Sequence, residues 1–324
     1  MNGDDWMFDT VVVGGGISGS KMVDLLSRQG EKVLLLEKSR GLGGRLCTRY
    51  TPFGKFQHGA QFFTIRNAEF YEEITPYIQN AECKEWGPLG YLKDGIWQKA
   101  TSTPRYVFVN STSTLCSHWA KQAEVCLTAQ VQSLSFDQIW RIHLQDGQVY
   151  TAKKLVLSMP LEQAKSLLPI EVELPLVQEW HLGASVMFYS KKPLHLPNGF
   201  VGGFVNGSPI RFVANQESKQ NSDERQAWVL VLNEEWAQSH WKQEGLLRHW
   251  LHHCQDIFGE SIDESLVEWS TVHFWKFAEL KKSQGQQQWY PQYQLGLVGE
   301  SFQGGRIEGA YLSAHTLWNE MVMS

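Results

Sequence analysis

The sequence predicts an α/β fold of two domains, one of them interrupted twice by the other. Three observations carry that prediction. Residues 10–46, TVVVGGGISGSKMVDLLSRQGEKVLLLEKSRGLGGRL, place in order a strand-like run, a glycine triad, a helix-like run, a second strand-like run and an acid. The pattern then changes over residues 66–104 and 170–289, where Trp-rich turns and β-type runs take over. The C-terminal stretch YQLGLVGESFQGGRIEGAYLSAHTLWNEMV returns to a strand, a Gly-rich turn and a helix.

The first element is a β-α-β unit. Gly14, Gly16 and Gly19 form Gly-x-Gly-x-x-Gly between the strand-like Thr10–Val13 and the helix-like Lys21–Arg28. Gly14 allows a tight turn, Gly16 lets the backbone approach a pyrophosphate, and Gly19 lets helix pack on strand. The helix N-terminus offers unpaired N–H groups and a positive dipole end to phosphates. Lys32–Leu36 reads as the second strand and ends on Glu37, 23 residues after Gly14, where a carboxylate can accept from both ribose hydroxyls. This is a dinucleotide unit, and by itself it leaves nicotinamide and flavin both open.

The following segment, KSRGLGGRLCTR, separates them. Gly43 and Gly44 permit a second close approach of backbone to a cofactor, and Arg45 can meet a pyrophosphate with two donors. A simple nicotinamide dehydrogenase has no need of such a segment. Together the two segments resemble the FAD-binding signature of amine-oxidase-like flavoproteins.

The later elements follow from period and punctuation. Asn67–Gln79 reads as a helix, followed by a turn-rich stretch holding Trp86 and Trp97. Residues 108–123 read as a loop entering a helix. EVCLTAQVQSLSF, a hairpin around Asp146-Gly147 and the buried-type KKLVLSMP, closed by Pro160, read as strands. Ala184–Tyr189 and Trp228–Asn233 are further strands, and a helix is expected near Gly245–Phe258. KKSQGQQQW reads as an exposed loop, and the last helix starts at about Glu308. The first domain is expected to comprise residues 1–65, 105–169 and 290–324, and the second 66–104 and 170–289.

Bulk properties narrow the partners. A net charge of −5 implies no broad basic surface for nucleic acid. The opening MNGDDWMFDT has no apolar core of a signal peptide, and no run of about 18 apolar residues suggests a membrane span. Five cysteines, scattered and without a CxxC, read as reduced thiols of a cytoplasmic protein. Fourteen tryptophans suggest aromatic cores or pocket walls.

Two further stretches narrow the resemblance. FGKFQHGAQFFTIRN at 53–67 and LGLVGESFQGGRIEGAYLSA at 295–314 resemble the two diagnostic segments of the renalase family, with PRYV at 104–107 and VLSMPLEQAKSLL at 156–168 in the matching order. The likeness runs nearly end to end. It implies a Rossmann-like FAD-binding domain of the glutathione-reductase or p-hydroxybenzoate-hydroxylase type with an inserted α+β substrate domain. The FAD is expected to be non-covalent, because the C-terminal motif offers no cysteine or histidine between Gly299 and Ala310 to tether it. Ser18 would lie beside the FAD pyrophosphate, Glu37 and Lys38 at the adenosine ribose, and Arg45 with Gly44 at the phosphates. Val131 would offer backbone to the adenine. Gly299 and Glu300 would meet the ribitol or phosphate region, Ile307 the pyrimidine edge, and Ala60 and Gln61 the flavin. Gln61, Phe62, Phe63, Thr64 and Ile65 would line the substrate side, with Arg105 and Ser301 as further candidates.

The activity implied is that of an FAD-dependent oxidase. Hydride passes from a small-molecule substrate to flavin N5, and dioxygen reoxidises the flavin to give hydrogen peroxide. A dihydronicotinamide dinucleotide isomer oxidised to NAD(P)+ is the substrate implied, with the Gln61 amide orienting its carboxamide. An oxidase of a small amine and a flavin-fold ligand-binding protein without turnover are the alternatives. Two departures from the family pattern bear on them. Gln57-His58 stands where the family has an acid, and Gly299-Glu300-Ser301 stands for Gly-Asp-Trp, which removes a wall of the substrate pocket. His58 is a candidate pocket base, with a hydrogen-bonded histidine beside a turn as the commoner alternative. Trp275 reads equally as core or as a ring approaching the flavin. Lys276 reads as solvated rather than flavin-proximal, and Glu308 as a dipole-favoured acid. His249, His252, His253 and Cys254 lie together, but without a partner cluster they read as an amphipathic helix and not a metal site.

Overall fold

The computed structural model describes residues 7–100 and 103–324, so the reading of MNGDDW lies outside the described residues. The chain divides into two compact units. Unit 1 comprises Met1–Arg45, Ser113–Glu179 and Leu280–Ser324, and unit 2 comprises Leu46–Thr112 and Trp180–Glu279.

Unit 1 is built on β1 (Met7–Val13), α1 (Ile17–Arg28) and β2 (Val33–Glu37). Val11, Val12, Leu34 and Leu35 have no exposed surface, as strands of a parallel sheet covered on both faces require. β1 pairs parallel with β2 on one side and with Val149–Leu157 on the other. The sheet continues from β2 to Glu124–Leu127, and from Val149–Leu157 through Ile139–Leu144 to Val131–Asp137. Leu295–Leu297 joins Val149–Leu157 in parallel, and the helix Arg306–Met323 follows, opening two residues earlier than Glu308. The hairpin around Asp146-Gly147 is present, and the KKLVL of KKLVLSMP proves to be the end of its second strand, Val149–Leu157.

Unit 2 holds a seven-stranded sheet in the order Val267–Gln284, Val177–Ser190, Ala227–Leu232, Ile210–Asn215, Gly202–Val205, Leu89–Lys93, Ile96–Lys99. Trp228, Phe188 and Trp250 pack in its main core. Asn67 caps the helix Ala68–Gln79 by accepting the Phe70 N–H at 3.1 Å.

Three expectations are corrected. The first crossing between units falls at 45/46, not 65/66, and residues 105–112 also belong to unit 2. The reason is packing: Phe56 joins Met187, Ala227 and Val229 in one cluster, and Phe63 exchanges backbone bonds with Tyr106 at 3.0 and 2.8 Å. The segment 245–258 is two short helices, Leu247–Leu251 and Gln255–Phe258, with Cys254 as N-cap of the second. The first four residues of KKSQGQQQW extend the strand Val267–Gln284 and its last, Trp289, opens the short strand Trp289–Tyr290, so only residues 285–288 lie outside regular structure.

Candidate active site

Unit 1 carries a cradle at the start of α1. Gly14 has φ +106°, outside the range of ordinary L-residues, and a Cβ there would sit 2.4 Å from the Ser158 carbonyl oxygen. A Cβ on Gly19 would sit 2.0 Å from the Gly14 carbonyl oxygen, so helix and strand pack at glycine distance. A Cβ on Gly16 would meet nothing within 4 Å: the backbone there faces open space. Gly16 caps α1 without a side-chain hydrogen bond, which leaves the first-turn N–H groups, including that of Ser18, directed past the helix end.

The second glycine segment forms the cradle's other wall. Gly43 donates its N–H to the Gly15 carbonyl at 2.8 Å, and a Cβ on Gly44 would come 3.5 Å from Gly16 Cα. Glu37 is buried; Oε2 accepts the Gly15 N–H at 2.7 Å and Oε1 the Ser39 N–H at 2.8 Å. Each carboxylate oxygen keeps a lone pair beyond those bonds. Lys38 beside it is exposed. Val131 is buried at the start of its strand, near Ala129, whose N–H donates to the Glu37 carbonyl at 2.9 Å. Arg45 Nη1 donates to Glu300 Oε1 at 2.6 Å, so these two expected cofactor ligands meet each other. Gly299 donates its N–H to Ser313 Oγ at 3.0 Å, and Ile307 is buried in the first turn of the last helix. Ser301, expected on the substrate side, is buried in unit 1 and accepts from Gln178 Nε2 at 2.7 Å. These residues fit a dinucleotide: an open backbone notch, a helix end, a buried acceptor and a rim guanidinium.

Unit 2 brings the remaining candidates together: His58, Ala60, Gln61, Phe62, Phe63, Thr64, Ile65 and Arg105. Gln61 is buried and uses its whole amide. Nε2 donates to the Gln57 carbonyl at 2.7 Å and the Gly59 carbonyl at 2.9 Å. Oε1 accepts from Gln216 Nε2 at 3.2 Å and Lys219 Nζ at 2.9 Å. Two donors and two acceptors exhaust a carboxamide, which corrects the expectation that Gln61 grips a substrate amide directly. Its side chain instead fixes the turn carrying Gly59 and Ala60. Gln216 also accepts the Gln57 N–H at 3.0 Å, so Gln57, Gln61, Gln216 and Lys219 form one buried network.

His58 is buried, with Nδ1 3.4 Å from the Phe56 carbonyl and Nε2 3.4 Å from Cys47 Sγ. Its ring stacks on Trp275 at 5.4 Å and meets His273 edge-on at 4.8 Å. Burial, with His273 and Arg49 nearby, pushes its pKa down to about 4. A neutral, hydrogen-bonded ring results, and a base with so low a pKa is weak near neutrality. Trp275 donates Nε1 to Ser185 Oγ at 3.3 Å and is half-buried in the same stack; Lys276 is exposed. The Arg105 guanidinium lies 5.4 Å from the Phe62 ring and 5.2 Å from Phe204, and burial lowers its pKa.

Lys219 was not marked by the sequence. It has no exposed surface, lies 5.0 Å from the Trp86 ring, and burial holds its pKa well below the ordinary lysine value. It sits in QESKQNSDER, a run polar throughout that gives no burial signal. Among the described residues no group of three or more metal-ligating side chains occurs, and no helix is long and apolar enough to cross a membrane.

Comparison with known proteins agrees with this architecture. Residues 12–78 match the family described as an NAD(P)-binding Rossmann-like domain. The (S)-6-hydroxynicotine oxidase of Paenarthrobacter nicotinovorans is 54% identical over 43 residues, 13% of this chain and 10% of that protein. The UDP-galactopyranose mutase of Mycoplasma pneumoniae is 35% identical over 75 residues, 22% of this chain and 19% of that protein. The matches thus span a tenth to a fifth of these relatives' length. A crystal structure from Exiguobacterium sp. 255-15, assigned as a protoporphyrinogen oxidase, superposes with a TM-score of 0.76 at 14% identity, covering 99% of both chains. Wild-type putrescine oxidase bound to putrescine gives 0.74 at 10% identity, covering 98% of this chain and 99% of that one. The chain therefore has a mixed α/β fold with a Rossmann-like dinucleotide-binding domain, the fold of these amine-oxidase-type structures.

Proposed function

We propose that the protein is an FAD-dependent oxidase of the renalase-like type, with FAD held non-covalently and a dihydronicotinamide dinucleotide isomer oxidised to NAD(P)+. The observation that carries the cofactor reading is the doubled glycine wall, in which Gly43 bonds Gly15 and Gly44 lies against Gly16 around an open notch. Ser18 and its neighbouring N–H groups would bind the pyrophosphate and Glu37 the adenosine ribose, with Arg45, held by Glu300, at the phosphates. Bound flavin would supply the redox step, taking a hydride from substrate and passing the electrons to dioxygen as hydrogen peroxide. No cysteine or histidine lies between Gly299 and Ala310 to tether it.

The substrate reading rests on Arg105. The charged group held against Phe62 and Phe204 is a guanidinium, which attracts an anionic dinucleotide and repels an ammonium. The Gly59-Ala60 turn, locked by Gln61, would orient the substrate ring. An amine substrate is the second reading, supported by the fold shared with putrescine oxidase and the short match to (S)-6-hydroxynicotine oxidase.

Anaerobic mixing of the FAD-loaded protein with isomeric dihydronicotinamides and, separately, a panel of amines tests both. Bleaching by a dihydronicotinamide is the expected result. Bleaching by an amine alone would transfer the assignment to the second reading, and none with either would leave a binding protein. Acid precipitation should release all the flavin to the supernatant.

A further inference from the structure

We propose a second ligand site, in unit 2, that takes a small organic cation: a primary ammonium on an apolar arm. The site is a cleft of about 330 Å³ whose lining includes Phe53, Lys55, Tyr189, Glu217 and Glu224. None of the residues assigned above to cofactor or substrate lines it.

The apolar wall is rigid. The Phe53 and Tyr189 rings lie 5.4 Å apart, and Phe53 stacks on Trp269 at 5.9 Å. The Tyr189 hydroxyl donates to Gln226 Oε1 at 3.0 Å, which fixes the phenol. The polar wall is Glu217, only 8% exposed. Its Oε2 accepts the N–H groups of Gln226 and Ala227 at 2.6 and 3.1 Å and the Asn215 amide at 3.5 Å. Its Oε1 takes no hydrogen bond from the described residues. The carboxyl is thus clamped through one oxygen, and the other is what it offers to the cleft.

A buried carboxylate with an open oxygen calls for a positive partner. Exposed Glu224 adds a second negative charge, and burial together with Glu224 pushes the Glu217 carboxyl up. The same two acids help raise the Tyr189 phenol, so their field reaches the aromatic wall. Aromatic faces beside an acid select an organic ammonium. A hard metal cation needs six or more oxygen ligands, and the Pro52, Phe53 and Ala227 side chains of this lining offer none. Lys55 also lines the cleft and brings the one like charge to its rim among the lining residues, with its ammonium 6.0 Å from the Tyr50 ring centre.

Calorimetric titration of the whole protein with n-butylammonium chloride, at constant ionic strength, tests the site. Butan-1-ol and calcium chloride are the controls. Saturable butylammonium binding is expected, weakened about ten-fold by Glu217→Gln, which keeps an acceptor oxygen for the two N–H groups, and tightened about three-fold by Lys55→Met. If Glu217→Gln does not fold, Glu224→Gln at the exposed mouth should weaken binding in its place. Absence of saturable binding, equal binding of butanol or calcium, or an affinity unmoved by these acid-to-amide changes would each overturn the proposal.

Discussion

Arg45 Nη1 and Glu300 Oε1 meet at 2.6 Å across 255 positions of sequence, with side chains 32% and 16% exposed. The pair ties the second glycine segment to the turn before the last helix. Glu300 engages one edge of a planar fork, so the guanidinium is oriented before any phosphate arrives. Arg45→Met should weaken FAD binding about ten-fold or more, and Glu300→Gln about three-fold. Equilibrium titration followed by flavin fluorescence measures both. If the double variant loses the full sum of the two single effects, Glu300 does not act through Arg45.

Glu37 has a double role, bonding the Gly15 and Ser39 N–H groups while facing the cradle. Glu37→Ala should cost about 1.5–3 kcal/mol in FAD binding and also lower stability, since both N–H groups lose their acceptor. Glu37→Gln retains acceptor oxygen and should lie between. Unchanged flavin content in Glu37→Ala would remove the ribose role.

His58 gives the protein an acid-sensitive core. Its folded pKa is pushed down to about 4 from 6.5, so between those values the unfolded chain binds more protons than the folded one. Stability is therefore full above about pH 6.5 and falls as pH drops towards 4, by at most about 3 kcal/mol from this ring. His273 is shifted in the same direction by burial and Arg49 and adds to the slope. Urea unfolding at pH 7.5 and pH 5 should show the loss, and His58→Gln should flatten it. An equal slope in the variant would assign the effect elsewhere.

What was legible in the sequence is what local pattern specifies. Val11–Val13, the glycine triad and the run ending on Glu37 define strand, turn and second strand within 30 residues, and the structure reproduces that order. Partners brought by the tertiary fold were not legible. Gln61 reads as a free amide because Gln216 and Lys219, which saturate it, lie 155 and 158 positions away. The crossing at 45/46 is hidden for a similar reason, since Phe56 packs on strands far along the chain. At residues 245–258 apolar spacing runs through the break between two short helices, so periodicity alone joins them.

The buried network around Gln61 gives the sharpest test of that correction. Gln61→Leu leaves Lys219 and two backbone carbonyls without their partner and should cost about 2–3 kcal/mol of stability, before any effect on flavin reduction. Lys219→Met is milder, because Gln61 Oε1 keeps Gln216 and a long apolar chain replaces the buried amine; a change within about 1.5 kcal/mol is expected. Lys219→Arg forces a permanent charge into the same space and should cost about 3 kcal/mol or more. The pH dependence separates a neutral lysine from a charged one. Burial depresses the folded pKa of Lys219, so below the unfolded value of 10.5 the unfolded chain holds the extra proton. Wild-type stability should then rise with pH relative to Lys219→Met, and the variant's advantage should shrink from pH 7 to pH 9. Paired denaturation curves at the two pH values decide it: a stability difference that does not move with pH would mean that Lys219 keeps its proton in the fold.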